Sequence, residues 1–193
     1  SGSVAAALPV PGAGLPNVLG SKEMLELNEV PASLCVIGGG VIGLEFASIF
    51  SAFGSKVTVL EYCKDLLPRF DTDIAKRLKQ ILGKRGIEII TSAQVLSIEE
   101  NNDGLLSVKY LNKESEKYVE SEKVLMAVGR RANYEGLGIG AAGIETTRRG
   151  IAVNEFMQTN VPHIYAIGDV NGLMMLAHAA TFQGLKALNH MTG

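Results

Sequence analysis

The sequence predicts an α/β fold: a three-layer unit built on a parallel sheet and carrying an antiparallel β-meander, followed by part of a second domain. Three observations predict it. Between residues 33 and 90, short apolar runs alternate with stretches of helical period, the βαβαβ unit that builds a parallel sheet with right-handed crossovers. Between residues 94 and 120, short alternating segments are joined by a turn signal, the pattern of antiparallel hairpins. Glycine is in excess, 22 of 193 residues, about 11% against a typical ~7%, and it gathers where the apolar runs end.

Residues 4–31 hold four of the six prolines, Pro9, Pro11, Pro16 and Pro31. The stretch reads as a connector with one short helix at 21–27, Ser21 as its N-cap and Met24 and Leu27 facing inward. Residues 33–37 form an unbroken apolar run that suits a strand buried on both faces. Glycines 38–40 end it. Residues 41–53 read as a helix with Ile42, Phe46, Ile49, Phe50 and Phe53 on its apolar side and Gly54 as its stop. Residues 56–60 make a second buried strand. Asp71 or Thr72 caps a helix in which Ile74, Leu78, Ile81 and Leu82 follow the i, i+4, i+7, i+8 stripe, and residues 87–90 make a third strand. Residues 94–99, 105–110 and 118–120 then alternate, with Asn101-Asn-Asp-Gly104 as a turn between the first two. Residues 123–128 return to a buried strand that Gly129 ends. A domain boundary is expected near Arg131. The remainder is expected to hold one strand, residues 164–167, closed by Gly168-Asp169, and an apolar helix over about 177–190.

Composition narrows the function classes. Hydrophobic residues at 47% and charged residues at 20% match ordinary globular chains. Eighteen basic against twenty acidic residues leave a net charge of −2, with no electrostatic ground for nucleic acid or an anionic membrane as partner. The absence of tryptophan and 6% aromatics speak against a stacking surface for single strands. No uncharged apolar run approaches the ~20 residues of a spanning helix and no signal peptide is recognisable, so the expected location is cytoplasmic. Both ends look cut: the chain opens Ser-Gly-Ser without an initiator Met and stops just past an apolar helix pattern. Two cysteines, Cys35 and Cys63, make neither a metal cluster nor a disulfide framework. No metal ligands are expected.

Gly38-Gly-Gly40-Val-Ile-Gly43 matches GxGxxG, and its context gives the match weight: a strand before it, a helix after it, and Glu61 closing the next strand. Gly38 permits the tight turn, Gly40 lets backbone approach a pyrophosphate, and Gly43 allows close helix–sheet packing. The helix start formed by Val41 and Ile42 supplies free N–H groups and a partial positive charge. This is the Rossmann-type dinucleotide site. Glu61 decides the dinucleotide, because a carboxylate there accepts from the adenosine ribose hydroxyls and repels a 2′-phosphate. The reading is NAD, with Lys64 and Arg69 as solvated surface.

Four segments, Gly-Gly-Gly-Val-Ile-Gly-Leu-Glu-Phe-Ala (38–47), Val-Thr-Val-Leu-Glu (57–61), Ala-Val-Gly-Arg-Arg (127–131) and Ile-Tyr-Ala-Ile-Gly-Asp-Val (164–170), resemble the flavin-dependent pyridine nucleotide–disulfide oxidoreductases, with dihydrolipoamide dehydrogenases as the nearest branch. The resemblance covers essentially the whole chain. It implies a connector from a flavin domain at 1–12, an inserted NAD domain at 13–131, and a returning segment of the FAD-binding domain at 132–193. It implies NAD and, in the full-length protein, FAD. It also implies a homodimer at full length and a lipoyl-bearing protein as partner, with no nucleic acid and no membrane. Gly39 to Gly43 would hold the pyrophosphate, Glu61 the adenosine ribose and Val95 the adenine. Ala127, Val128, Gly129 and Arg130 would pass beside the nicotinamide half. Glu45 resembles the helix glutamate near the nicotinamide and flavin rings. Asp169 resembles the aspartate that bonds the flavin ribityl chain, and Ala177 lies at the helix start under the isoalloxazine. Tyr62 and Pro68 stand where NADP-using relatives carry arginines, and Ala132 departs from a common proline.

The family's redox disulfide is a C-x-x-x-x-C pair, whereas Cys35 and Cys63 are 28 apart. His163, His178 and His190 lack a glutamate four or five residues on, and a first flavin-binding GxGxxG is missing. No catalytic residue is assigned. The function expected is the NAD(H)-binding portion of a dihydrolipoamide dehydrogenase-like enzyme, inactive as this piece alone. The alternatives are a sister enzyme (NADH oxidase, mercuric, glutathione or coenzyme A-disulfide reductase) or a non-catalytic nucleotide-binding module.

Overall fold

Helices and strands form where the apolar stripes and runs lie. The computed structural model describes residues 1–193. In chain order it has β1 (Ser3–Ala5), β2 (Val18–Leu19), α1 (Ser21–Leu25), β3 (Ser33–Ile37), α2 (Val41–Ala52), β4 (Lys56–Glu61), α3 (Thr72–Lys84), β5 (Glu88–Thr91), β6 (Gln94–Glu100), β7 (Leu106–Asn112), β8 (Ser115–Ser121), β9 (Lys123–Met126), β10 (Arg130–Ala132), a 3-10 turn (Gly168–Asn171) and α4 (Ala177–Thr192). The chain divides into two units, Ala5–Gly129 and Ser1–Val4 with Arg130–Gly193.

In the first unit, β2, β9, β3, β4 and β5 lie in that order in an all-parallel sheet. Side chains alternate across each strand, and both faces are covered. Leu34, Val36, Val57, Val59 and Leu125 pack with Phe46 and Phe50 of α2 and Ala75 and Leu82 of α3. Cys35, Ile37, Leu60, Val124 and Met126 pack with Ile98, Leu106, Val108 and Tyr110 of the antiparallel meander β6–β7–β8. Each fully buried large apolar chain contributes roughly 1.5–3 kcal/mol. Leu8 and Val10, in the stretch read as a connector, pack against the meander side of this core.

Local details differ from the sequence pattern for physical reasons. Gly20, not Ser21, is the N-cap of α1, and its N–H donates to the Glu23 carboxylate at 3.0 Å. In α2 the buried face is Gly43, Leu44, Phe46, Ala47 and Phe50, while Ile49 and Phe53 are exposed. Small Gly43 and Ala47 let the helix axis approach the sheet, which turns that face inward. In α3, Ala75 and Leu82 are buried and Ile74 and Ile81 are exposed, since each residue advances about 100° and the stripe centres on the smaller Ala75.

In the second unit β1 pairs with β10, and Ile151, Ala166 and Val170 form a small core with Tyr134, Ile139, Ile144 and Val153. Residues 164–167 make no strand. They form a single bridge, Gln158 to Tyr165, with the Thr159 N–H to the Ile164 carbonyl and the Ala166 N–H to the Met157 carbonyl. Pro162 lies within this short loop-back, which leaves too few residues for a ladder. No helix is long and apolar enough to cross a membrane.

Candidate functional site

β3 ends at Ile37 and α2 begins at Val41, so three glycines make the whole turn. Gly38 has φ +115°, and a Cβ there would run into the Ala127 carbonyl. A Cβ on Gly43 would run into the Gly38 carbonyl and come within 3.1 Å of Val36. Only glycine lets the first turn of α2 sit this close to the strand. Gly40 is the N-cap; it offers no side-chain cap, and no acidic residue lies in the first turn. The leading amides of α2 have no intrahelical partner. With the helix dipole behind them, they are suited to an anion.

Glu61 ends β4 and is 7% exposed. One carboxylate oxygen accepts the Gly39 N–H at 2.5 Å and the other the Cys63 N–H at 2.6 Å. The Gly39 carbonyl accepts from Leu67 at 3.1 Å, and Leu66 is buried beneath the turn. The last residue of β4 and the loop after it therefore grip the glycine turn at both backbone groups of Gly39. This arrangement holds the acid in place before any ligand arrives. The Glu61 carboxylate beside Cys63, through hydrogen bonding to the thiol, then burial and the Glu61 charge push that thiol up from its ordinary range. Burial, then the charge of Glu88, pushes Cys35 up to about 12. Both cysteines are protonated near neutral pH, unlike reactive thiolates.

Over this turn opens a cavity of about 530 Å³. It brings together Gly38, Gly40, Glu61, Val95, Ala127, Val128 and Gly129. Gly39 and Gly43 lie behind it in the backbone, Ile42 is half-buried, and Val41 and Glu45 are exposed on α2. Tyr62 and Pro68, read as standing where NADP-using relatives carry arginines, line the cavity too, whereas sequence reasoning missed Leu8, Val10, Cys63 and Gln94 as lining residues. The signal for Leu8 and Val10 is their alternation; for Cys63 it is its place just after the strand-ending acid. A second hollow, about 450 Å³, lies beside Ser33, Lys56 and Glu88, where β3, β4 and β5 begin, and has no glycine turn.

In the other unit, Asp169 sits in the 3-10 turn behind Gly168 (φ +74°). Its carboxylate accepts from Ser3, and the Arg130 guanidinium donates to Ser3 as well. Ala177 is exposed at the start of α4, whose N-cap Leu176 provides no side-chain cap.

The family model described as pyridine nucleotide-disulphide oxidoreductase matches residues 1–184. The chain belongs to that family. It is 42% identical over 197 residues to a dihydrolipoyl dehydrogenase of Acholeplasma laidlawii, covering 99% of this chain and 56% of the relative. It is 43% identical over 179 residues to a dihydrolipoyl dehydrogenase of Bacillus subtilis (strain 168), covering 92% and 38%. Among solved structures, the Cu(II) complex of the HOCl-induced flavoprotein disulfide reductase RclA from Escherichia coli superposes with a TM-score of 0.89 at 33% identity, over 100% of this chain and 43% of that one. The chain thus spans between about two fifths and just over half the length of these members of the pyridine nucleotide-disulphide oxidoreductase family.

Proposed function

We propose that the chain is the NAD(H)-binding portion, with the returning flavin-domain segment, of a dihydrolipoamide dehydrogenase-like enzyme that moves electrons between a dithiol or disulfide and NAD through FAD. The observation that carries this reading is the pairing of an uncapped glycine turn with Glu61 at one cavity. The donor set fits NAD: leading amides of α2 for the pyrophosphate, a fixed carboxylate for the ribose diol, and Val95 and Ala93 as an apolar wall for the base. The unit Ala5–Gly129 corresponds to the NAD domain in this reading, with Ala127 to Gly129 beside the nicotinamide. The turn at Asp169 and the uncapped start of α4 suit a polyol hydroxyl and a flavin edge.

The nucleotides supply the chemistry of hydride and electron-pair transfer, and the protein supplies binding, orientation and electrostatics. Glu61 accepts ribose hydroxyls and places a negative charge where NADP carries a 2′-phosphate. The Gly39 clamp keeps the turn from shifting as charge arrives. A sister disulfide reductase is the second reading, favoured by the likeness to RclA. Assaying the full-length protein with NADH and lipoamide separates them. Lipoamide turnover is expected; turnover only of glutathione disulfide, coenzyme A disulfide, mercuric ion or oxygen assigns the sister enzyme. Turnover of none contradicts the proposal.

A further inference from the structure

Asp169 is reached by two residues far away in the chain. The Ser3 hydroxyl donates to the Asp169 carboxylate at 2.5 Å, across 166 positions. The same oxygen accepts from Arg130 Nε at 2.7 Å, and Arg130 Nη2 donates to the Ser3 carbonyl at 2.9 Å. Pairing of β1 with β10 sets Ser3 beside Arg130, and β10 lies against the 3-10 turn that carries Asp169. That turn is itself tied down: the Gly168 N–H and the Asn171 amide both donate to the buried Gln183 side chain, at 2.8 and 2.9 Å.

The order of donors has a chemical consequence. Arginine only donates, so its bond to the Ser3 oxygen leaves the hydroxyl hydrogen free to point at the carboxylate. One Asp169 oxygen is taken, the carboxyl plane is set, and the second oxygen is left to accept from a ligand. We propose that Ser3 is a positioning residue for the flavin, acting through Asp169 and oriented in turn by Arg130. The inference rests on the reading that Asp169 faces the ribityl chain.

The test uses the full-length flavoprotein and free FAD as the probe, with the dissociation constant read from flavin fluorescence and the melting temperature of the FAD-free form as a folding control. Asp169→Ala is expected to weaken FAD binding by about tenfold or more, the scale of hydrogen bonds to a charged group. Ser3→Val is expected to weaken it by a similar factor and Ser3→Thr, of the same shape but keeping the hydroxyl, to restore it. The double variant Ser3→Val with Asp169→Ala is expected to be no weaker than Asp169→Ala alone, because residues acting as one unit are not additive. If Asp169→Ala leaves FAD affinity unchanged, the flavin reading of this turn falls and the inference with it. If Asp169→Ala weakens binding while Ser3→Val matches Ser3→Thr, or the two effects add, the positioning role alone is overturned.

Discussion

At the scale of single residues, the two cysteines show how far type and spacing reach. Their separation already argues against a redox pair, and the structure adds why each thiol resists ionisation: Cys35 is sealed inside β3, and Cys63 lies against the Glu61 carboxylate. Iodoacetamide is expected to label Cys63 more slowly at pH 8 than it labels an unperturbed thiol. Glu61→Gln is expected to speed the labelling, since it removes the charge that disfavours the thiolate; an unchanged rate would count against the Glu61 bond. Cys35 bears on stability. Its thiol ionises in the unfolded chain near the ordinary 9.0 but in the folded protein only at about 12. Stability is therefore untouched by this group below pH 9 and falls as the pH rises from about 9 towards 12, because only the unfolded state gains by ionising. Urea unfolding at pH 8 and pH 10.5 is expected to show the drop, and Cys35→Ala to flatten it while lowering stability at both. Glu61 itself was legible from the strand it ends. Its grip on Gly39 was not, because a backbone partner leaves no mark in residue identity.

At the scale of elements, sequence periodicity located β3, β4, β5, α2 and α3 and found Phe46, Phe50, Leu78 and Leu82 on the inward faces, but set one edge of each helical stripe too far round. The stripe of large apolar residues includes Ile49, Phe53, Ile74 and Ile81, all exposed, whereas the small residues Gly43, Ala47 and Ala75 mark the true contact. Close approach, not side-chain size, decides which face turns in. Gly43→Ala is accordingly expected to destabilise the protein by roughly 1–3 kcal/mol, the usual cost of overpacking, and to weaken dinucleotide binding by shifting α2 off the Gly38 carbonyl. Denaturant melts and an NADH titration check this, and a neutral substitution would contradict the packing. The turn between β7 and β8 escaped sequence reading because Lys113 and Glu114 both adopt left-handed φ, 49° and 65°, without the Asn-Gly that signals such a hairpin. Replacing them with Asn and Gly is expected to stabilise by about 1 kcal/mol, measured by thermal melting.

At the scale of the whole molecule, the three-layer unit was readable because a parallel sheet buried on both faces writes continuous apolar runs. The unit containing Arg130–Gly193 was read less well. Its segments meet in single bridges and turns, which leave no period, and α4 exposes Phe182, Leu185, Leu188 and Met191. A chain with that apolar face uncovered is expected to self-associate, and, if Asp169 is its main hold on a flavin as proposed, to purify colourless. Stoichiometric FAD surviving gel filtration would contradict this. The central claim, that the glycine turn and Glu61 form an NAD site, is tested most directly by calorimetric titration of this chain with NADH and NADPH. NADH is expected to bind at least about tenfold more tightly, and Glu61→Ala to narrow the gap by removing ribose bonds worth roughly 1.5–3 kcal/mol. Equal or reversed affinities in the unaltered chain, or no binding of either nucleotide, would contradict it.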